Sequence, residues 1–428
     1  MKYQNIFYTV VIASAFAACS QLDENEVAGL SNATEEAAFI GGDSEMEIRL
    51  STGGNTTRGI SYDGENFSTT DGIGVFMLAT DITTINPEAS PLEWKEYTDG
   101  QRHAKTMVLK NVRSDANIVT TLDEFSNPVK STELVWAGAP TPIYYYPIDN
   151  WYAFRFYGYH PYQSSYTLQN GVIKVTYPQS YFDGSQDIIY GYSKKGKVTN
   201  DKNDEEKWRY SAKYIRKTGD TDLPKIQFKH KLMGFQFKIK GEKDYNGSYA
   251  DVNKITVKSI TVGNVPVGSA TLTVANLNNI TPDGSTTVPS SANDEGYLSF
   301  NWNNGYRTLN VKKDGSDQID LAINASDGSD PQVCGDTLFL PVPPTGNNHI
   351  YTIDISLHFD DGSVDGKDFG TDVPLQLQFD YAGTTDFKFE EGKIYDVVIK
   401  IAGPQSIQVK ASLSEWEPGG ESDEIELN

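Results

Sequence analysis

Cys19 is the residue of this chain whose type and position most directly specify chemistry. It closes the run MKYQNIFYTVVIASAFAAC, in which Lys2 gives a weak positive start and small Ala17 and Ala18 precede the thiol. Residues 6–18 are largely apolar, which is the layout of a secretory signal. Such a run is too short to span a bilayer as a permanent helix. An ordinary signal needs no cysteine at this point. A bacterial lipoprotein signal does, because the thiol receives the diacylglycerol. Residues 1–18 are therefore read as a lipoprotein signal peptide and Cys19 as the lipidated residue.

Other chemistry is sparse. HExxH, GxSxG, phosphate-loop and Rossmann fingerprints are all absent. The 5 histidines are scattered, so spacing assembles no metal cluster. His230, in FKHKL, reads as a structural residue near a strand edge. The loop DDGSVDGKD at 360–368 spaces oxygen ligands among glycines, but it lacks the EF-hand pattern, and a solvated acidic turn is the default reading. Of the 2 cysteines, lipidation removes Cys19 and leaves Cys334. No intrachain disulfide can then form, although an extracytoplasmic compartment permits one. Cys334 precedes the apolar run 338–342 and reads as a core residue. The sequence thus assigns no catalytic residue, no cofactor and no metal.

The formal net charge is -22 and becomes -23 once residues 1–18, whose one charge is Lys2, are removed. That excludes nucleic acid and anionic lipid as charge-driven partners. The chain of 428 residues is long enough for two domains with their own cores. Its 25 tyrosines and 19 phenylalanines, set among 37 glycines and 19 prolines, favour strands joined by punctuated turns. No second hydrophobic span and no long amphipathic helix occurs.

The elements follow from periodicity. Residues 19–43 are polar, small and acidic, the composition of a flexible tether. EMEIRLS at 45–51 alternates, with Met46, Ile48 and Leu50 on one face and Glu45, Glu47 and Arg49 on the other. GVFMLA at 74–79 is continuously apolar, as in a central strand. Further strands are expected at 104–109, 134–137, 152–159, 173–177 and 188–192. The aromatic stretch 142–162 reads as core packing in preference to a sugar-binding surface. A boundary near 222–225 is followed by a strand running on from Ile226 through IQFKHKLMGFQFKIKG. Strands then recur at 254–262, 270–274, 296–300, 319–323, 337–342, 350–358, 375–379, 394–401 and 406–413, with an exposed loop at 276–295. The fold class is all-β, with an N-terminal domain at 44–222 and a C-terminal domain at 223–428, and the spacing suggests antiparallel sandwiches.

Four blocks together resemble the fimbrillin family of Bacteroidetes, the subunits of lipoprotein-derived pili. They are AFAAC with its polar tether; EMEIRLS followed by TTRG and DGIGVFMLA; WYAFRFYGYHPY followed by QDIIYGYS and PKIQFKHKLMGFQFKI; and GKIYDVVIKI followed by IQVKASLSEWEPGG. The resemblance implies two transthyretin-like β-sandwich domains in series, export as a lipoprotein to the outer membrane, and a surface-exposed fimbrial location. It further implies that an arginine-specific surface protease removes the first strand and that a strand from another subunit fills the opened groove. Here the matching bond is Arg58–Gly59, in an extended glycine- and threonine-rich linker. Arg49, the other nearby arginine, lies within the strand.

Elementary energetics supports such an exchange. Loss of an edge strand exposes ladder groups and an apolar slot together, and both favour capture of another strand. Burial of Met46, Ile48 and Leu50 stabilises the seated strand by about 5 kcal/mol of transfer free energy. The donor is open at this level: Ile407, Val409, Ala411 and Leu413 alternate over 406–413 and suit either a donor strand or the last strand of the second domain. The leading function is a structural subunit of adhesive fimbriae, with other fimbrial subunits, the protease and outer-membrane lipid as partners. The alternative is a pilus-tip or stand-alone lipoprotein adhesin that binds a host protein or glycan.

Overall fold

The structure, a computed structural model, describes residues 46–52, 72–79, 107–122, 128–146, 153–194, 209–218, 222–283, 285, 287–344, 349–370, 375–376, 389–403 and 406–414. Within them the chain is predominantly all-β, built as a closed seven-stranded barrel and two further sheets.

The barrel begins from the most apolar strand, β2 (Ile73–Ala79, IGVFMLA), all of which is buried. A strand buried on both faces cannot alternate, and its unbroken apolar run reflects that. It lies between β3 (Met107–Leu122) and β5 (Phe154–His160), both antiparallel to it. β4 (Pro128–Trp136) pairs with β3, β8 (Ile189–Tyr192) with β5, and β9 (Lys225–His230) with β8. The ring is closed by β1 (Leu50–Thr52), antiparallel to β4 and parallel to β9. The seven-residue helix α1 (Ala212–Thr218) lies between β8 and β9 in sequence and buries Tyr214 and Ile215 in the same core.

The other two sheets enclose a second core. One sets β10 (Met233–Gly241) parallel to β19 (Ile394–Gly403), flanked by β14 (Gln332–Val333), β15 (Leu338–Leu340) and β20 (Ser406–Ser414). The other is organised on β11 (Ile255–Asn276), which pairs with β7 (Val172–Tyr177), β12 (Leu298–Asn310), β13 (Leu321–Ala322) and β16 (Thr352–Phe359). β6 (Thr167–Gln169), β17 (Lys367–Gly370) and β18 (Leu375–Gln376) complete it. Phe235, Phe237 and Ile239 of β10 and Val397 and Ile399 of β19 share one buried cluster with Val257 and Ile260 of β11 and Ile353 and Ile355 of β16.

β11 ties the two cores together. Its first half contributes Ile255, Val257, Ile260 and Val262 to the second core, and its second half contributes Ala270, Leu272 and Val274 to the barrel core. β7, from the first half of the sequence, pairs with that second half.

Three expectations are corrected. The strand beginning at Ile226 is two strands. β9 ends at His230 and β10 starts at Met233, and the chain passes from one sheet to another across Lys231 and Leu232. The strands at 254–262 and 270–274 are one strand whose register shifts around Gly263–Gly268, where glycines and Pro266 resemble turn signals but mark bulges. The ladders are not all antiparallel, since β1–β9 and β10–β19 run parallel.

Candidate functional site

The segment 46–52 occupies the seam of the barrel. Its alternation does what the sequence indicates: Ile48 and Leu50 are buried at 0% and 2% exposure, Met46 is half-buried against the core, and Glu47 and Arg49 are exposed. Backbone bonds hold it on both sides. On one side the Ile48 amide donates to the Tyr144 carbonyl at 2.8 Å, and the Tyr146 amide donates to the Met46 carbonyl at 2.9 Å. There too Leu50 and Ser51 lie opposite Leu134 and Glu133. On the other side the Ser51 amide donates to the Pro224 carbonyl at 3.1 Å, and Ser51 and Thr52 lie beside Lys225 and Ile226. The Trp136 indole Nε1 donates to the Ile48 carbonyl at 3.2 Å. On the outer face Arg49 Nη2 stands 3.7 Å from Glu133 Oε1, both side chains partly exposed. A surface groove of about 290 Å³ follows this seam, walled by residues 47–51, 133–136 and 141–143.

The geometry makes 46–52 a short insert between two strands that, among the described residues, do not pair with each other. Its removal would leave the facing edges of β4 and β9 with unmet backbone groups, above a slot the size of two large aliphatic side chains. A strand edge and an apolar slot are the two features that capture another strand.

Cys19, Arg58 and Gly59 lie outside the described residues, so the lipid site and the scissile bond have no structural account here. Ile407, Val409, Ala411 and Leu413 stand on β20, in antiparallel register with Ile401, Ile399, Val397 and Tyr395 of β19. All four of those β19 residues are fully buried.

The other sequence signals resolve as structure. Cys334 is buried, and burial pushes its thiol up to about 12. His230 is buried at the last position of β9, opposite Ile189 of β8 and beyond the Lys225–Ile226 stretch that pairs with β1, and its Nδ1 meets the Asp187 carboxylate. In the acidic loop 360–368, Asp361 pairs with Lys367 at 3.0 Å. Among the described residues no group of three His, Cys, Asp or Glu side chains has the placement to hold a metal ion. Of the aromatic stretch, Tyr146, Phe154, Phe156, Tyr157 and Tyr159 are core residues, as the packing reading holds, while Tyr145 is exposed.

Sequence reasoning missed Arg155. In FRFYGYH it looks like a polar residue on an outward face, yet it is fully buried. Its Nε donates to the Ser193 carbonyl at 3.0 Å and its Nη1 to the Thr281 carbonyl at 2.7 Å. The guanidinium lies 3.6 Å from the Tyr192 ring centroid, and Nη1 stands 3.7 Å from Glu295 Oε2. Glu295, also fully buried, accepts from the Tyr157 hydroxyl at 2.9 Å and from the amides of Thr281 at 2.9 Å and Asn276 at 3.1 Å. Burial raises the Glu295 carboxyl above its usual range, an effect that the Arg155 charge and these hydrogen bonds offset only in part. The loop 276–295, expected to be exposed and largely so, is pinned across β5 at Thr281 and Glu295. Asp283 at 3.4 Å from Arg155 Nη2 adds a second, more exposed acid. The one sequence signal was an acid, Glu295, at the end of a polar loop.

Residues 57–416 match the sequence model of the Fimbrillin-like family, and the chain belongs to that family. No curated protein matches the sequence. Among solved structures, the chain is similar to a candidate cell adhesion protein from Bacteroides uniformis ATCC 8492, with 15% identity, a TM-score of 0.42, and coverage of 88% of this chain and 99% of that one. It is also similar to a candidate cell adhesion protein from Parabacteroides distasonis ATCC 8503, at 9% identity, a TM-score of 0.36 and coverage of 88% and 98%. The fimbrial anchor protein Mfa2 from Porphyromonas gingivalis is similar at 7% identity, with a TM-score of 0.26 and coverage of 88% and 100%.

Proposed function

We propose that this chain is a structural subunit of adhesive cell-surface fimbriae, assembled by replacement of its own first strand. The signal and Cys19 deliver it as a lipoprotein to the outer membrane, where it is surface-exposed. An arginine-specific surface protease then cuts Arg58–Gly59, the segment carrying Met46, Ile48 and Leu50 leaves, and a strand from a neighbouring subunit takes its place. In this reading the domains are those expected from the sequence, 44–222 and 223–428, with strand β9 of the second completing the barrel of the first. The candidate donor is the strand bearing Ile407, Val409, Ala411 and Leu413. Family membership supports other fimbrial subunits as partners.

One observation carries the reading. Among the described residues, segment 46–52 alone bridges β4 and β9, with hydrogen bonds on both sides and two buried side chains. A strand placed there is separable from the rest of the barrel without unthreading any other element. N-terminal analysis of the subunit in purified surface polymer tests the processing step: a chain starting at Gly59 supports it, and one still starting at lipidated Cys19 in the shaft refutes it.

A second reading, a pilus-tip or stand-alone lipoprotein adhesin recognising a host protein or glycan, is favoured by a different observation. β20 is paired along its length with β19 of its own chain, from Ile394–Ser414 to Gly403–Ser406. A subunit that keeps this strand at home accepts a neighbour but donates to none. Deleting residues 406–428 separates the two, since fibres built by other subunits persist only in the adhesin case.

A further inference from the structure

The outer face beside the seam carries apolar side chains that the strand exchange itself does not use. Along 143–146 the alternation leaves Ile143 55% and Tyr145 41% exposed, while Tyr146 is buried and Tyr144 is half-buried. On the adjoining β4, Val135 is 36% exposed between buried Leu134 and Trp136. Val135 and Ile143 both line the seam groove, and Tyr145 is bridged by backbone to Glu47 of the inserted segment. The other large exposed apolar residues, such as Tyr245, Tyr306 and Val364, lie on other parts of the chain. Isolated exposed apolar residues need no explanation, but a group at the rim of one groove does.

We propose that Val135, Ile143 and Tyr145 form a docking surface for the body of a second copy of this chain, the copy whose strand fills the seam. This rests on the strand-replacement reading and extends it from the strand to the subunit behind it. A strand advances only about 3.3 Å per residue, so the body that supplies it sits within a few residues of the groove and meets its rim. Charge points to the same place. Residues 1–58 hold 3 basic and 8 acidic side chains, so each copy processed after Arg58 carries a net charge of -17, and two such bodies repel unless the meeting faces carry little charge. Departure of 46–52 takes Glu47 and Arg49 off this face and leaves Glu133 as the remaining charged side chain of the groove wall, beside Val135 and Ile143. The second copy thus gains a side-chain contact in addition to the backbone ladder, which fixes its orientation about the inserted strand.

The test uses cells displaying the full chain with Ile143→Asp or Tyr145→Asp, and Tyr306→Asp as a remote exposed control. Polymer is read as a detergent-resistant ladder on gels and as fibre length by electron microscopy. Processing at Arg58 is read by N-terminal mass spectrometry of the same material. The expected result is about tenfold less polymer for both seam variants, with processing intact and the control unchanged. Polymer at the wild-type level in Ile143→Asp overturns the proposal. So does loss of processing together with polymer, which would make these residues part of the seam's own integrity. A wild-type chain that is processed yet never polymerises, or is never processed, overturns the strand-replacement reading and this proposal with it.

Discussion

Truncating Ile48 to alanine separates a strand that merely lies on the barrel from one that closes it. The side chain is fully buried, and its carbonyl accepts from the Trp136 indole. Large-to-small truncation in such a site costs about 3 kcal/mol, because the transfer free energy is lost and a cavity remains. The neighbouring outward residue is the control. Arg49 is exposed, and its ion pair with Glu133 spans 3.7 Å, so Arg49→Ala costs about 1 kcal/mol or less. In the uncut chain, urea unfolding reports the difference. With a denaturant slope of about 3 kcal/mol per molar, the Ile48→Ala midpoint falls by about 1 M and the Arg49→Ala midpoint hardly moves. In the cut chain the same 3 kcal/mol falls on retention of the severed strand. Its release, followed by native mass spectrometry after arginine-specific cleavage, quickens by about 100-fold. Amide exchange gives a third view, with faster exchange at Tyr146, whose amide donates to Met46. The reasoning is refuted if Ile48→Ala and Arg49→Ala behave alike in both the unfolding and the release measurements.

Three further outcomes are expected. Arg155→Ala leaves Glu295 buried without its cation and costs about 4 kcal/mol, read as a lower unfolding midpoint together with raised protease sensitivity of loop 276–295. Because burial raises the Glu295 carboxyl above its usual value of 4.5, its contribution to stability is complete below that value and is lost as pH rises through the raised one; Glu295→Gln should flatten this part of the stability–pH curve, and an unchanged curve would contradict the assignment. Cys334, with its thiol pushed up to about 12 by burial, should resist iodoacetamide in the native protein at pH 8 and react at once in urea, as quantified by intact mass.

What the sequence made legible was local. The alternation of Met46, Ile48 and Leu50 against Glu47 and Arg49 is a two-residue period, and the structure keeps it. The unbroken apolar run at 74–79 likewise marks a strand covered on both faces. What was not legible depends on partners far away in the chain. That β1 runs parallel to β9 follows from how the ring closes, and no local pattern near Ser51 encodes Lys225. Arg155 reads as an outward polar residue until Glu295, from a loop after β11, is brought onto it. The long β11 was hidden for a different reason: Gly263, Pro266 and Gly268 are common to turns and to bulges, and only the partner strands decide between them.

The account rests on the seam between β4 and β9, and a structure of the assembled fibre at side-chain resolution tests it most directly. The prediction is a strand from a neighbouring subunit between residues 133–135 and 225–226, its apolar side chains in the slots of Ile48 and Leu50, and a chain that begins after Arg58. A fibre in which residues 46–52 of the same chain still fill that seam would contradict it.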